Sequence, residues 1–121
     1  MLVRKLSACP LIVAGDGTRL RELLHPERDY RFSGRYSLAH AVLPVGESSL
    51  KHILVSDEVY YIISGRGEMH VDDETRSVEP GDVVEIPPGS SQWLVNTGQS
   101  ELEFLCIVDP AWRAEDEKIV E

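Results

Sequence analysis

Three observations predict an all-β domain. Eight short runs rich in Val, Ile, Tyr, Phe and Trp follow one another between residues 36 and 108. Each run stops at turn chemistry such as Pro44-Val45-Gly46 or Pro87-Pro88-Gly89. Helices of ordinary length do not fit between so many breakers, so the runs imply an antiparallel sandwich or a small barrel.

The runs justify themselves in order. Residues 36–43 end at Pro44-Val45-Gly46, residues 51–55 at Ser56-Asp57, and residues 58–63 at Ser64-Gly65-Arg66-Gly67. Residues 68–71 meet Asp72-Asp73-Glu74, and residues 75–78 meet Glu79-Pro80-Gly81-Asp82. The last three, 83–86, 92–96 and 102–108, end at Pro87-Pro88-Gly89, Thr97-Gly98-Gln99-Ser100 and Asp109-Pro110. Only two stretches could be helical. Residues 18–25 set Leu20, Leu23 and Leu24 at i, i+3 and i+4 before Pro26 stops the pattern. The acidic tail 112–121 could form a short docked helix or fray. The chain thus divides into an N-terminal extension (1–35) packing on the barrel or a partner subunit, the barrel (36–108) and an acidic tail (109–121).

Composition narrows the function classes. The 121 residues are 42% hydrophobic and 27% charged, which fits one folded domain and excludes wholesale disorder. Twelve Lys and Arg against 21 Asp and Glu give a formal charge of −9, the wrong sign for nucleic acid or an anionic membrane surface. The longest apolar runs, such as Val59-Tyr60-Tyr61-Ile62-Ile63, fall far short of the ~20 residues needed to span a bilayer. Two cysteines, Cys9 and Cys106, form no CxxC pair and are too few for a disulfide framework, which favours the cytoplasm. Leu6-Ser7-Ala8-Cys9 reads like a lipoprotein box, but only Met-Leu-Val-Arg-Lys precedes it, so export is not expected.

Alternation sorts the last run into two faces. Leu102, Phe104, Cys106 and Val108 form one set and Glu103, Leu105 and Ile107 the other, with Glu103 marking the outward side. Cys106 therefore faces the interior. Leu105, Ile107 and Tyr61 make the outer face apolar, which predicts a covering partner and hence a homodimer.

Two spaced constellations carry the chemistry. The first runs Gly46, five residues, His52, Ile53, Leu54, three residues, Glu58, six residues, Gly65. The second runs Gly81, five residues, Pro87, Pro88, Gly89, two residues, Gln92, three residues, Asn96. His52 and Leu54 stand two apart on one strand and so share a face, and Glu58 and Tyr60 do likewise.

These spacings resemble the two motifs of the cupin superfamily. Within it, the chain resembles small single-domain proteins of the cupin 2 conserved-barrel type, described as similar to mannose-6-phosphate isomerase. The resemblance implies a double-stranded β-helix, or jelly roll, with a pocket inside. In metal-binding cupins the first motif supplies two His and a Glu and the second a third His. Here the second position is Leu54 and the last is Gln92. The resemblance therefore implies an altered divalent-metal site, for Zn, Mn, Fe or Ni, on His52, Glu58 and Gln92. Tyr60, a water or another histidine could complete it.

Around this set, Leu54, Phe104, Cys106 and His40 are expected to line the pocket, with Glu58 or Tyr60 moving a proton. His40 has apolar neighbours on both sides, so its parity stays open, and a hydrogen-bonded core role is the plainer one. His70 alternates with Met69 and Val71 and is expected to face out. His25 is read as a capping or surface residue, and Trp93 as outer packing or dimer contact. Gly89 and Asn96 look structural. Gly65-Arg66-Gly67 is a turn with no following helix, not a phosphate loop, and Asp72-Asp73-Glu74 reads as a solvated hairpin.

The expected function is an isomerase- or epimerase-type reaction on a small carbohydrate-like molecule. A metal-poor, non-catalytic ligand-binding protein is the alternative, and a metal-dependent dioxygenase ranks third.

Overall fold

A computed structural model describes residues 1–120 of the chain. Eleven strands form two antiparallel sheets. In chain order they are β1 (Leu11–Val13), β2 (Arg19–Leu24), β3 (Ser37–Leu43), β4 (His52–Leu54), β5 (Asp57–Ser64), β6 (Gly67–Val71), β7 (Glu74–Val78), β8 (Val83–Ile86), β9 (Ser91–Asn96), β10 (Leu102–Asp109) and β11 (Glu117–Ile119). One sheet runs β1-β2-β3-β10-β5-β8 and the other β11-β4-β9-β6-β7. No described helix is long and apolar enough to cross a membrane. The all-β jelly roll is the predicted architecture.

Both stretches with helical potential are extended instead. Residues 18–25 contain β2, which joins β1 through the turn Ala14-Gly15-Asp16-Gly17-Thr18 and pairs with β3 on its other side. A helix of two turns is marginal in water, whereas a strand between two neighbours satisfies its backbone on both edges. The tail makes a short 3-10 turn at Ala114–Asp116 and then β11, which pairs with β4. Glu121 lies outside the described residues. Strands from both flanks of the barrel thus extend its two sheets.

The inward sets meet as alternation requires. Ile62, Leu43, Ile86, Leu94 and Leu102 are each under 2% exposed and pack between the sheets. Moving along β5 from Ile62 to Tyr60 and Glu58, or along β10 from Leu102 to Val108, the same face passes from solid core to the wall of a cavity. The core occupies one end of the barrel and the cavity the other.

The turn at Gly65 permits no side chain. Its φ is +86°, and a Cβ there would lie 2.5 Å from the Glu101 carbonyl oxygen. Gly81 also has a positive φ, +94°, but opens onto space. Gly65→Ala should therefore destabilise the domain by well over ~1 kcal/mol and by clearly more than Gly81→Ala, as read by paired denaturant melts.

Candidate functional site

The cavity holds about 540 Å³. Its inner wall comes from the barrel: Ala39 and Ala41 of β3, His52 and Leu54 of β4, Glu58 and Tyr60 of β5, Phe104, Cys106 and Val108 of β10. The N-terminal segment and the β1–β2 hairpin form the opposite side, with Trp112 and Glu117 contributed by the tail. Apolar side chains make up most of this lining. That is the usual composition of a small-molecule pocket.

Register explains how the polar groups converge. β4 pairs with β9 so that His52 stands opposite Gln92, and β5 pairs with β10 so that Tyr60 stands opposite Cys106. The Tyr60 hydroxyl donates to Gln92 Oε1 at 3.0 Å, and Gln92 Nε2 donates to Glu58 Oε1 at 2.7 Å. The Cys106 thiol donates to the other carboxylate oxygen, Oε2, also at 2.7 Å. The donors and acceptors of these four side chains close on one another. Glu58 is 5% exposed and Gln92 1%.

The electrostatics follow from that enclosure. Burial raises the Glu58 carboxyl above its ordinary 4.5, opposed by hydrogen bonds from Cys106 and Gln92. Burial also pushes the Cys106 thiol and the Tyr60 phenol well above their usual ranges, and the neighbouring Glu58 charge adds to both shifts. Cys106 therefore stays a protonated, unreactive thiol at neutral pH.

His52 stands apart from this network. Its Nδ1 lies 2.8 Å from the Leu50 carbonyl oxygen, which can only accept, so Nδ1 is the donor there and the neutral ring presents Nε2 to the cavity as an acceptor. Across from Nε2, at 3.7 Å, lies Asp16 Oδ2. Asp16 sits in the β1–β2 turn, where its Oδ1 accepts from the Thr18 amide at 3.0 Å and its carbonyl accepts from the Leu50 amide at 2.7 Å. Leu50 thus fixes both groups, one through its N–H and one through its C=O.

The expected ligand set does not fit a resident divalent metal. Among the described residues, no group of three or more His, Cys, Asp or Glu is arranged to hold one. Both Glu58 oxygens and the Gln92 carbonyl already accept hydrogen bonds from within the site. Leu54 presents only a hydrocarbon wall, leaving His52 Nε2 as the one neutral nitrogen donor among these positions. Catalytic metal sites typically use about three protein ligands.

The structure corrects two placements and adds one. His40 is not in the cavity: Ala39 and Ala41 take the inward positions of β3, and His40 points outward to Glu103, with Nε2 2.5 Å from Oε2. Glu103 is the residue whose charge marks the outer face, so the β3–β10 register decides the parity that β3 alone leaves open. His25 is no surface residue. It is 1% exposed, accepts the Glu27 amide at Nδ1 and donates from Nε2 to the Trp112 carbonyl, pinning the tail to the N-terminal region. His70 stacks outward on Trp93 at 4.2 Å. Asp16 is the addition. The Gly-Asp-Gly turn was the available signal, but only once residues 19–24 are recognised as a strand.

The fold and this inward-facing polar set are those of a cupin barrel. A family model described as Cupin domain matches residues 39–108, and the chain belongs to the cupin family. Members of that family commonly hold divalent metals. An uncharacterised protein from Methanocaldococcus jannaschii is 40% identical over 111 residues, covering 90% of this chain and 86% of the relative. The oxalate-binding protein of Thermotoga maritima is 35% identical over 71 residues, 58% of this chain and 59% of the relative. A cupin 2 conserved barrel domain protein from Salinispora arenicola superposes with a TM-score of 0.75 at 26% identity, covering 95% of this chain and 91% of that one.

Two tests follow for the network. Gln92→Leu leaves the Tyr60 hydroxyl and one Glu58 oxygen without partners and should cost about 2 kcal/mol or more in a denaturant melt. The raised Glu58 carboxyl holds its proton more tightly in the folded state than in the unfolded chain. Its contribution to stability is therefore fully present below pH 4.5 and is lost as pH rises from there through the raised folded-state value. Chemical denaturation across that range should show a falling component in the parent protein that Glu58→Gln lacks.

Proposed function

We propose that this chain is a small-ligand cupin that works without a resident metal, binding a largely apolar small molecule whose polar end meets His52. One observation carries the reading: Glu58, Gln92, Tyr60 and Cys106 are hydrogen-bonded to one another, with both Glu58 oxygens and the Gln92 carbonyl already accepting within the set. Neither Glu58 nor Tyr60 is then the free proton carrier expected from the sequence. His52 Nε2 takes that role, because its other nitrogen is already committed to Leu50. If the bound molecule is turned over, the chemistry available is proton transfer of the isomerase or epimerase type, with His52 as the general base. The predominantly apolar walls favour a ligand less polar than a free sugar.

The same reading includes a cytoplasmic homodimer. Tyr61, Ile63, Val83 and Ile107 remain 37–67% exposed on the outer face of the six-stranded sheet, where Leu105 also lies. Sedimentation should give twice the chain mass, and Tyr61→Glu should shift it toward the monomer; a monomeric parent protein would refute the dimer.

Elemental analysis of protein purified without chelator tests the central claim. We expect far less than one equivalent of any transition metal, unchanged in His52→Ala. Near one equivalent of Zn, Mn, Fe or Ni, lost in His52→Ala, would overturn the proposal in favour of a metal-dependent isomerase or dioxygenase.

A further inference from the structure

Two features of the cavity are not explained by packing. The first is its charge. Five acids line it, Asp16, Glu22, Asp29, Glu58 and Glu117, against two arginines, Arg4 and Arg28. Both arginines are already engaged: Arg28 pairs with Glu22 at 2.6 Å, and Arg4 donates to the Leu23 carbonyl while lying 3.9 Å above the Tyr30 ring. No lysine or arginine therefore answers Asp16 at the inner end. A phosphate or carboxylate entering there would meet carboxylates and no free cation.

The second feature is the unused oxygen of Asp16. The residue is 7% exposed, yet its Oδ2 makes no hydrogen bond among the described residues and lines the cavity 3.7 Å from His52 Nε2. In its neutral form His52 presents Nε2 as an acceptor beside the Asp16 carboxylate oxygen, and two acceptors facing one shared space suit a group with at least two protons to give. A single nitrogen can stand within hydrogen-bond reach, about 2.9 Å, of both atoms.

We infer that Asp16 and His52 form a clamp for a protonated amine carried on an apolar body. One N–H donates to Asp16 Oδ2 in a charge-assisted bond and a second donates to His52 Nε2. Leu54, Phe104 and Val108 then surround the hydrocarbon part of the ligand. This deepens the proposed function and rests on it, because a metal at His52 would occupy the same lone pair.

Three probes with one ring and different charges test the clamp: benzylammonium, benzyl alcohol and benzoate, titrated at pH 7 against the backbone amide signals of the lining residues. Benzylammonium should bind at least about tenfold more tightly than benzyl alcohol, with benzoate weakest. Asp16→Asn keeps the Oδ1 acceptor for Thr18 and should lose that preference while holding benzyl alcohol unchanged. Asp16→Ser removes the charge a second way should the first variant fail to fold. Benzoate binding as well as the amine, or an undiminished amine preference in both variants, would overturn the clamp. If all three probes bind the cavity equally, the clamp alone fails and the small-ligand site stands. If none perturbs the lining residues, the site and the clamp fail together.

Discussion

A carboxylate enclosed between two sheets is the constraint from which the rest of this site follows. Glu58 is 5% exposed, and the barrel supplies donors to both its oxygens. Gln92 and Cys106 do so from strands of different sheets, β9 and β10. Tyr60 closes the set by donating to Gln92. The network ties β5 to β9 and β10 at the point where the solid core gives way to open space. It also fixes which atoms remain free to meet a ligand.

The replacement of a metal-type donor by Gln92 and Leu54 gains its meaning from this closure. An amide can donate to a carboxylate and accept from a phenol simultaneously, which a metal-bound imidazole cannot do. With Gln92 between them, Glu58 and Tyr60 are held as structure. His52 is released from that set by its short bond to Leu50 and turns toward the segment that covers the cavity. There it meets Asp16, a residue delivered by a hairpin outside the barrel motifs.

The covering segments are held by specific contacts. Arg21 donates to the Cys9 carbonyl at 2.8 Å, Arg4 lies across Tyr30, and His25 joins the N-terminal region to the tail at Trp112. Trp112 in turn donates from its indole to Glu117 at 2.7 Å, the first residue of β11, which pairs with β4. Of these, the His25–Trp112 bond crosses from one flank of the chain to the other, and the rest tie each flank to itself. They place acidic side chains along the cavity and give it the electrostatic character discussed above.

The barrel itself was legible from one-dimensional features. Turn residues at fixed offsets punctuate β3 to β10, and strict two-residue alternation placed Cys106 and Phe104 inward and Tyr61 and Ile107 outward. Those are local properties, since a strand presents alternate side chains to opposite faces wherever it lies. Alternation could not decide β3, where His40 is flanked by apolar residues on both sides; that required Glu103 on the neighbouring strand. Nor could it separate a two-turn helix from β2, because Leu20, Leu23 and Leu24 suit either until the partners of the strand are known. Above all, the resemblance of the two spaced motifs implied one site for His52, Glu58 and Gln92 but not their hydrogen bonds. Whether a carboxylate is left open for a metal or spent on an amide and a thiol depends on distances across two sheets, and only the folded chain sets those.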